Sequence, residues 1–143
     1  MLQRCCWTQE AIEADDLRIP ALHESLDDVL AGLGAWTTYT VRSGGRLVGS
    51  VRGRRTGEAG QTWEIGRLMV APDLQGRGLG RVLLDHIQAV APADVTGYIL
   101  ITGVRSLRNQ RIYKKAGFRL EPPVEGEPIV AMSKQRRRPR SSK

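Results

Sequence analysis

Gln75-Gly76-Arg77-Gly78-Leu79-Gly80 follows a strand-like stretch, Thr62 to Val70, and opens a helical pattern in which Leu79, Leu83, Ile87 and Val90 share one face. Glycines at alternate positions let backbone N–H groups turn inward with no side chain in the way. Together with the positive end of the helix dipole, those groups make a pocket suited to a phosphate or pyrophosphate. Two better-known phosphate loops do not fit. A dinucleotide fingerprint needs a third glycine where Arg81 stands. A nucleoside-triphosphate loop needs Gly-Lys-Ser/Thr where the chain reads Gly80-Arg81-Val82.

On the N-terminal side, Thr37–Arg42 and Arg46–Arg54 are rich in Thr, Tyr and Val, and Ser43-Gly44-Gly45 between them is a tight-turn signal. That combination predicts a β-hairpin. Before it, Ser25 caps a helix with Asp27 and Asp28 in its first turn, and Gly32 and Gly34 are expected to stop it near Leu33. Leu2–Asp16 reads as an earlier helix. On the C-terminal side, Ala91-Pro92 ends the helix that begins at Gly78. Tyr98–Ile101 is a short, continuous apolar strand suited to a central position. Ser106–Ala116 is amphipathic and stops at Gly117, and Phe118–Glu121 and Pro128–Ser133 read as two closing strands. The order of elements is mixed α/β and predicts one sheet, with no internal repeat.

The 143 residues match one domain, expected over 1–133 and followed by a basic disordered tail over 134–143. No apolar run approaches the ~18–20 residues of a membrane span, and Met1–Trp7 lacks a signal-like stretch. A cytoplasmic protein without a membrane partner is expected. Cys5 and Cys6 are adjacent, and His23 and His86 are isolated, so no metal site is expected. Of 22 Lys and Arg residues, six fall in the last ten positions, leaving 16 basic against 15 acidic groups over 1–133. The positive charge therefore belongs to the tail, and nucleic acid is not an expected partner of the domain.

The loop resembles that of the GNAT superfamily of N-acetyltransferases, whose signature Gln/Arg-x-x-Gly-x-Gly/Ala is filled by Gln75, Gly78 and Gly80. The segment Ser106-Leu107-Arg108-Asn109-Gln110-Arg111-Ile112-Tyr113-Lys114-Lys115-Ala116-Gly117-Phe118 is similar to the same family's closing helix and its tyrosine–glycine–aromatic end. The resemblance covers residues 37–133 well and the first 36 only loosely, and it implies an α/β fold of the α+β type, with a mixed, mostly antiparallel sheet flanked by helices and splayed at the cofactor site. It implies an acetyl-CoA-dependent enzyme that transfers an acetyl group to a primary amine by direct attack in a ternary complex. The acceptor would be a small molecule or a peptide. A protein N-terminal or lysine acetyltransferase and a non-catalytic acyl-CoA-binding module are the alternatives.

The resemblance also implies roles. The backbone of Met69 and Val70 would bond the pantetheine arm, and Gln75, Gly76, Arg77, Gly78, Leu79 and Gly80 would hold the pyrophosphate. Asn109 would contact the cofactor, and Tyr113 would protonate the departing thiolate, as a phenol with a reference pKa of about 10 can. The amine must lose a proton before attack, and Glu64 is the candidate base. Lying six residues before Val70, it is expected to share a strand face with that residue. A Val70 N–H would stabilise the oxyanion. Asp15, Asp16, Glu24, Asp27 and Asp28 would favour a cationic acceptor. Family members usually open with a strand before the first helix, whereas this chain reads as starting inside that helix. The first strand is expected to be absent, leaving an edge that invites a partner chain such as a second copy in a homodimer.

Overall fold

The computed structural model describes residues 2–3 and 25–138. Helix α1 (Leu26–Ala35) starts on a capping box. The Asp28 N–H donates to Ser25 Oγ at 3.1 Å, and the Ser25 N–H donates to an Asp28 carboxylate oxygen at 2.9 Å. That bond from the Ser25 backbone holds the Asp28 carboxyl below its ordinary range. The helix runs through Gly32 and Gly34 to Ala35, past the stop expected at Leu33. Each glycine costs a helix only about 1 kcal/mol relative to alanine. The chain turns into the sheet at Trp36, whose ring is seated over Gly66.

Six strands follow: β1 (Thr37–Ser43), β2 (Arg46–Thr56), β3 (Thr62–Val70), β4 (Gly97–Gly103), β5 (Arg119–Leu120) and β6 (Ile129–Gln135). They form one sheet in the order β1-β2-β3-β4-β6-β5. Every neighbouring pair is antiparallel except β3 with β4. The β1–β2 turn places Gly44 at φ 56° and Gly45 at φ 81°, the primed geometry whose twist matches a hairpin. No strand precedes β1 among the described residues, where Leu2 and Gln3 are helical. The rest of the helix expected over Leu2–Asp16 lies outside the described residues.

Helices α2 (Leu79–Ala89) and α3 (Leu107–Lys115) complete the fold. Leu83, Leu84 and Ile87 of α2 share one core with Val51, Ile65, Leu100 and Met132 of the sheet, and with Ala116 and Phe118 after α3. Trp63 ties β3 to α2, since its indole N–H donates to the Ile87 carbonyl at 3.0 Å in a buried bond. The indole fits only because Gly53, diagonally across from it on β2, has no side chain; a Cβ there would stand 2.4 Å from Trp63 Nε1.

The connection between α2 and β4 is gripped by two arginines. Arg55 donates to both carboxylate oxygens of Asp94 at 2.9 and 2.8 Å. Arg136 donates to the carbonyls of Pro92, Val95 and Ala91 at 2.6, 3.3 and 3.4 Å. This corrects the boundary expected after residue 133. β6 continues through Lys134 and Gln135, because that edge still pairs with Gly97 and Tyr98 of β4. Residues 139–143 of the expected tail lie outside the described residues.

Gly53→Ala is expected to destabilise the protein by about 1–3 kcal/mol, the usual cost of forcing extra volume into a packed site, as read by urea unfolding. The hydrogen bond from Arg55 holds the Asp94 carboxyl below its ordinary value, and Arg46 does the same to Asp73. Stability from such groups is present above the unfolded carboxylate range and is lost as pH falls through the lower folded values. The thermal midpoint should therefore drop between about pH 5 and pH 2, and drop less steeply in Asp94→Asn. An unchanged acid-side slope in that variant would count against the pairing.

Candidate active site

Strands β3 and β4 pair in parallel from Thr62 with Gly97 to Ile65 with Leu100. Beyond that point they are not paired with each other, although β3 continues to Val70 and β4 to Gly103. A gap therefore opens between the C-terminal ends of two neighbouring strands in mid-sheet. On its other edge β3 carries a bulge. Ser50 pairs with Met69 and Arg52 with Gly66, so Arg67 and Leu68 both stand opposite Val51. Arg67 sits there at φ 48°, in the left-handed region that a side chain disfavours.

The bulge overturns one expectation. Glu64 and Val70 do not share a strand face, because the extra residue reverses the alternation between them. Glu64, Gly66 and Met69 line one face, together with Ser50, Arg52 and Arg54 of β2. Trp63, Ile65 and Val70 line the other, where α2 packs.

The glycine loop lies at the end of β3. Pro72–Leu74 forms a single turn of 3-10 helix, anchored by the Ala71 N–H donating to Val48 O at 2.8 Å and by a two-pronged Arg46–Asp73 pair at 2.7 Å. Gly76 and Gly78 follow at φ 79° and 82°, and a Cβ at either would meet open space. Their absence of side chains is thus demanded by backbone conformation and not by crowding. Gly78 is the N-cap of α2 and makes no side-chain cap bond. The first-turn N–H groups of that helix are left to an anion or to water. Gln75 differs from a simple phosphate ligand, for its side-chain amide turns back and donates to Val70 O at 3.3 Å. Its backbone stays within the loop while its side chain braces the strand end.

Helix α3 follows the unpaired end of β4. Tyr113 is half-buried and meets Phe118 edge-on, ring centroids 6.2 Å apart. Asn109, one helical turn earlier, is also half-buried. Between them in sequence, Gln110 is buried, and its amide donates to the carbonyls of Gly103 and Val104 at 3.0 and 2.9 Å. It clamps the end of β4 to the start of α3. Sequence reasoning missed it. Its amphipathic position three residues before Tyr113 was the available signal.

Glu64 has its own surroundings. Its carboxylate accepts from Arg54 Nε at 3.1 Å, with the Glu64 side chain 18% exposed and the Arg54 side chain 45% exposed. The Arg52 and Arg54 guanidinium carbons stand 4.2 and 4.1 Å from the centroid of the Trp36 ring. An ion pair this exposed is worth about 0–1 kcal/mol alone, and each guanidinium–indole contact adds about 0.5–1 kcal/mol. No motif joins Trp36, Arg54 and Glu64 in sequence, and only the sheet brings them together. Of the acids expected to attract a cationic acceptor, Asp15, Asp16 and Glu24 lie outside the described residues. Asp27 and Asp28 are exposed on α1, where Asp28 serves the cap. No described helix is long and apolar enough to cross a membrane.

The family model for the acetyltransferase (GNAT) family matches residues 4–118. No curated protein sequence matches the chain significantly. Among solved structures, the PaiA N-acetyltransferase of Thermoplasma acidophilum in complex with coenzyme A is similar at a TM-score of 0.79 and 15% identity, over 94% of this chain and 89% of that one. An acetyltransferase of Bacillus subtilis in complex with CoA is similar at a TM-score of 0.63 and 25% identity, over 78% of this chain and 84% of that one. A GNAT family acetyltransferase of Elizabethkingia anophelis with acetyl-CoA bound gives a TM-score of 0.64 at 20% identity, over 78% and 83% of the two chains. With the family model spanning the glycine loop and both walls of the gap, this chain belongs to the acetyltransferase (GNAT) family.

Proposed function

We propose that this protein transfers an acetyl group from acetyl-CoA to a primary amine by direct attack, with both substrates bound together. One observation carries the reading. The gap between β3 and β4, the left-handed glycines and the uncapped start of α2 converge at one end of β3. A thin arm ending in a pyrophosphate fits that arrangement, with the arm in the gap and the charge on the loop.

Bound acetyl-CoA supplies an activated thioester carbonyl; the chain's residues do the rest. The backbone of Met69 and Val70 bonds the arm as an added strand would. Gln75, Gly76, Arg77, Gly78, Leu79 and Gly80 hold the pyrophosphate, and Asn109 contacts the arm from α3. The amine nitrogen attacks the carbonyl carbon, a C–N bond forms and the C–S bond breaks. A Val70 N–H meets the negative charge that develops on the carbonyl oxygen. Tyr113 gives its phenolic proton to the departing sulfur, because a phenol with a reference pKa of about 10 is protonated at neutral pH.

Glu64 draws the proton from the ammonium. It lies five residues of strand before Met69, which is about 16 Å of backbone at 3.3 Å per residue. That span exceeds a hydrogen bond, so the proton moves through water along the Glu64 face. The acceptor is a primary amine of a small molecule or a peptide.

Calorimetric titration tests the cofactor. Acetyl-CoA and free CoA are expected to bind in the micromolar range and NAD not at all. Gly78→Glu should abolish CoA binding, since it sets a charge and a strained backbone at the loop; retained affinity would mean the arm lies elsewhere. Tyr113→Phe should lower kcat roughly 100-fold while leaving the KM for acetyl-CoA within about twofold. A rise in KM alone would make Tyr113 a binding residue instead of the acid.

A further inference from the structure

We propose that Trp36 is a positioning residue: it holds Arg54 in the orientation that pairs with Glu64, and so fixes the carboxylate that takes the acceptor amine's proton through water. The inference rests on the reading of Glu64 as the group that takes the ammonium proton.

Arg54 has a long side chain, 45% exposed, and only its Nε reaches Glu64, at 3.1 Å. A single-point pair with a guanidinium this free does little to hold either partner in place. The indole of Trp36 supplies what the pair lacks. It meets the Arg54 guanidinium at 4.1 Å and that of Arg52 at 4.2 Å, fixing two side chains that leave the same face of β2. The ring is held in turn from below. Gly66, on the same face of β3 as Glu64, presents bare backbone, and a Cβ there would lie 3.4 Å from Trp36 Cη2 and Cζ3.

Trp36 is also the residue that joins α1 to β1. The position of the helix at this face is thereby linked to the orientation of the carboxylate. Tryptophan supplies the large, flat surface that this grip needs, and phenylalanine keeps part of it.

The test is a double-mutant cycle on the full chain. CoA release is measured with acetyl-CoA and three amines: Nα-acetyl-lysine, tyramine and a tripeptide with a free α-amine. Glu64→Gln is expected to lower kcat about 100-fold. Trp36→Ala should lower it about tenfold, with KM for acetyl-CoA within about twofold, and Trp36→Phe should recover most of the loss. Trp36→Ala should cost nothing further in the Glu64→Gln background, because a residue acting through Glu64 has no effect once Glu64 is neutral. Multiplicative losses would overturn the proposal and leave Trp36 a general packing residue.

Gly66→Val, which pushes the ring aside while keeping all three side chains, should reproduce Trp36→Ala; full activity in it would likewise overturn the proposal. Tryptophan emission reads the grip without turnover. Glu64→Gln should shift it in the wild-type background and leave it unchanged in Trp36→Phe; no shift in either overturns the grip. Full kcat in Glu64→Gln with the amines that the wild type acetylates would instead sink the reading of Glu64, and the emission measurement would still decide the grip.

Discussion

The parallel pairing of β3 with β4 stops after Ile65 and Leu100, and the need of backbone groups for partners organises the molecule around that point. A sheet interior cannot leave two strand edges facing each other across a gap without something to satisfy them. The fold prepares both edges. Gln110 takes the carbonyls at the end of β4, and the Gln75 amide takes that of Val70 at the end of β3. Past those bonds the two strands are not paired with each other.

Holding the gap open is a matter of what β3 is fastened to. Trp63 binds its first half to α2 through the Ile87 carbonyl, in space that Gly53 leaves. Its second half pairs with β2 across the bulge at Arg67 and Leu68. The bulge has a chemical consequence beyond bending the strand. Adjacent strand residues alternate in any case, and the bulge decides which way: Val70 faces α2 and Met69 the side of Glu64. The α2 face is dry and packed, whereas the Glu64 face carries charge: Arg52, Arg54 and Glu64 around Trp36. Charge and core thus lie on opposite faces of β3.

The loop and α2 illustrate a division between conformation and charge. Gly76 and Gly78 are needed for their positive φ, since nothing stands where their Cβ atoms would be. Gly53 is needed for space alone. Both kinds of glycine look alike in the sequence, yet replacing the first strains the backbone and replacing the second displaces a buried indole.

Local signals settled much of this protein. The hairpin turn at Gly44-Gly45, the helix that follows Gly80, the apolar strand at Tyr98–Ile101 and the glycine loop all follow from short-range rules of backbone conformation and hydrophobic period. The loop and the Tyr113 segment were sufficient for the family, because each motif is contiguous. Three things were decided only by tertiary structure. Parity from Glu64 to Val70 depends on a bulge, and a bulge is set by register against β2, which no property of β3 itself announces. The strand end at Gln135 depends on β4 offering Gly97 and Tyr98 as partners. The cluster of Trp36, Arg54 and Glu64 joins residues from a helix–strand junction and two strands. Their meeting costs loop closure, which only the assembled sheet offsets, so a reading confined to neighbours in sequence could name Glu64 but not what holds it.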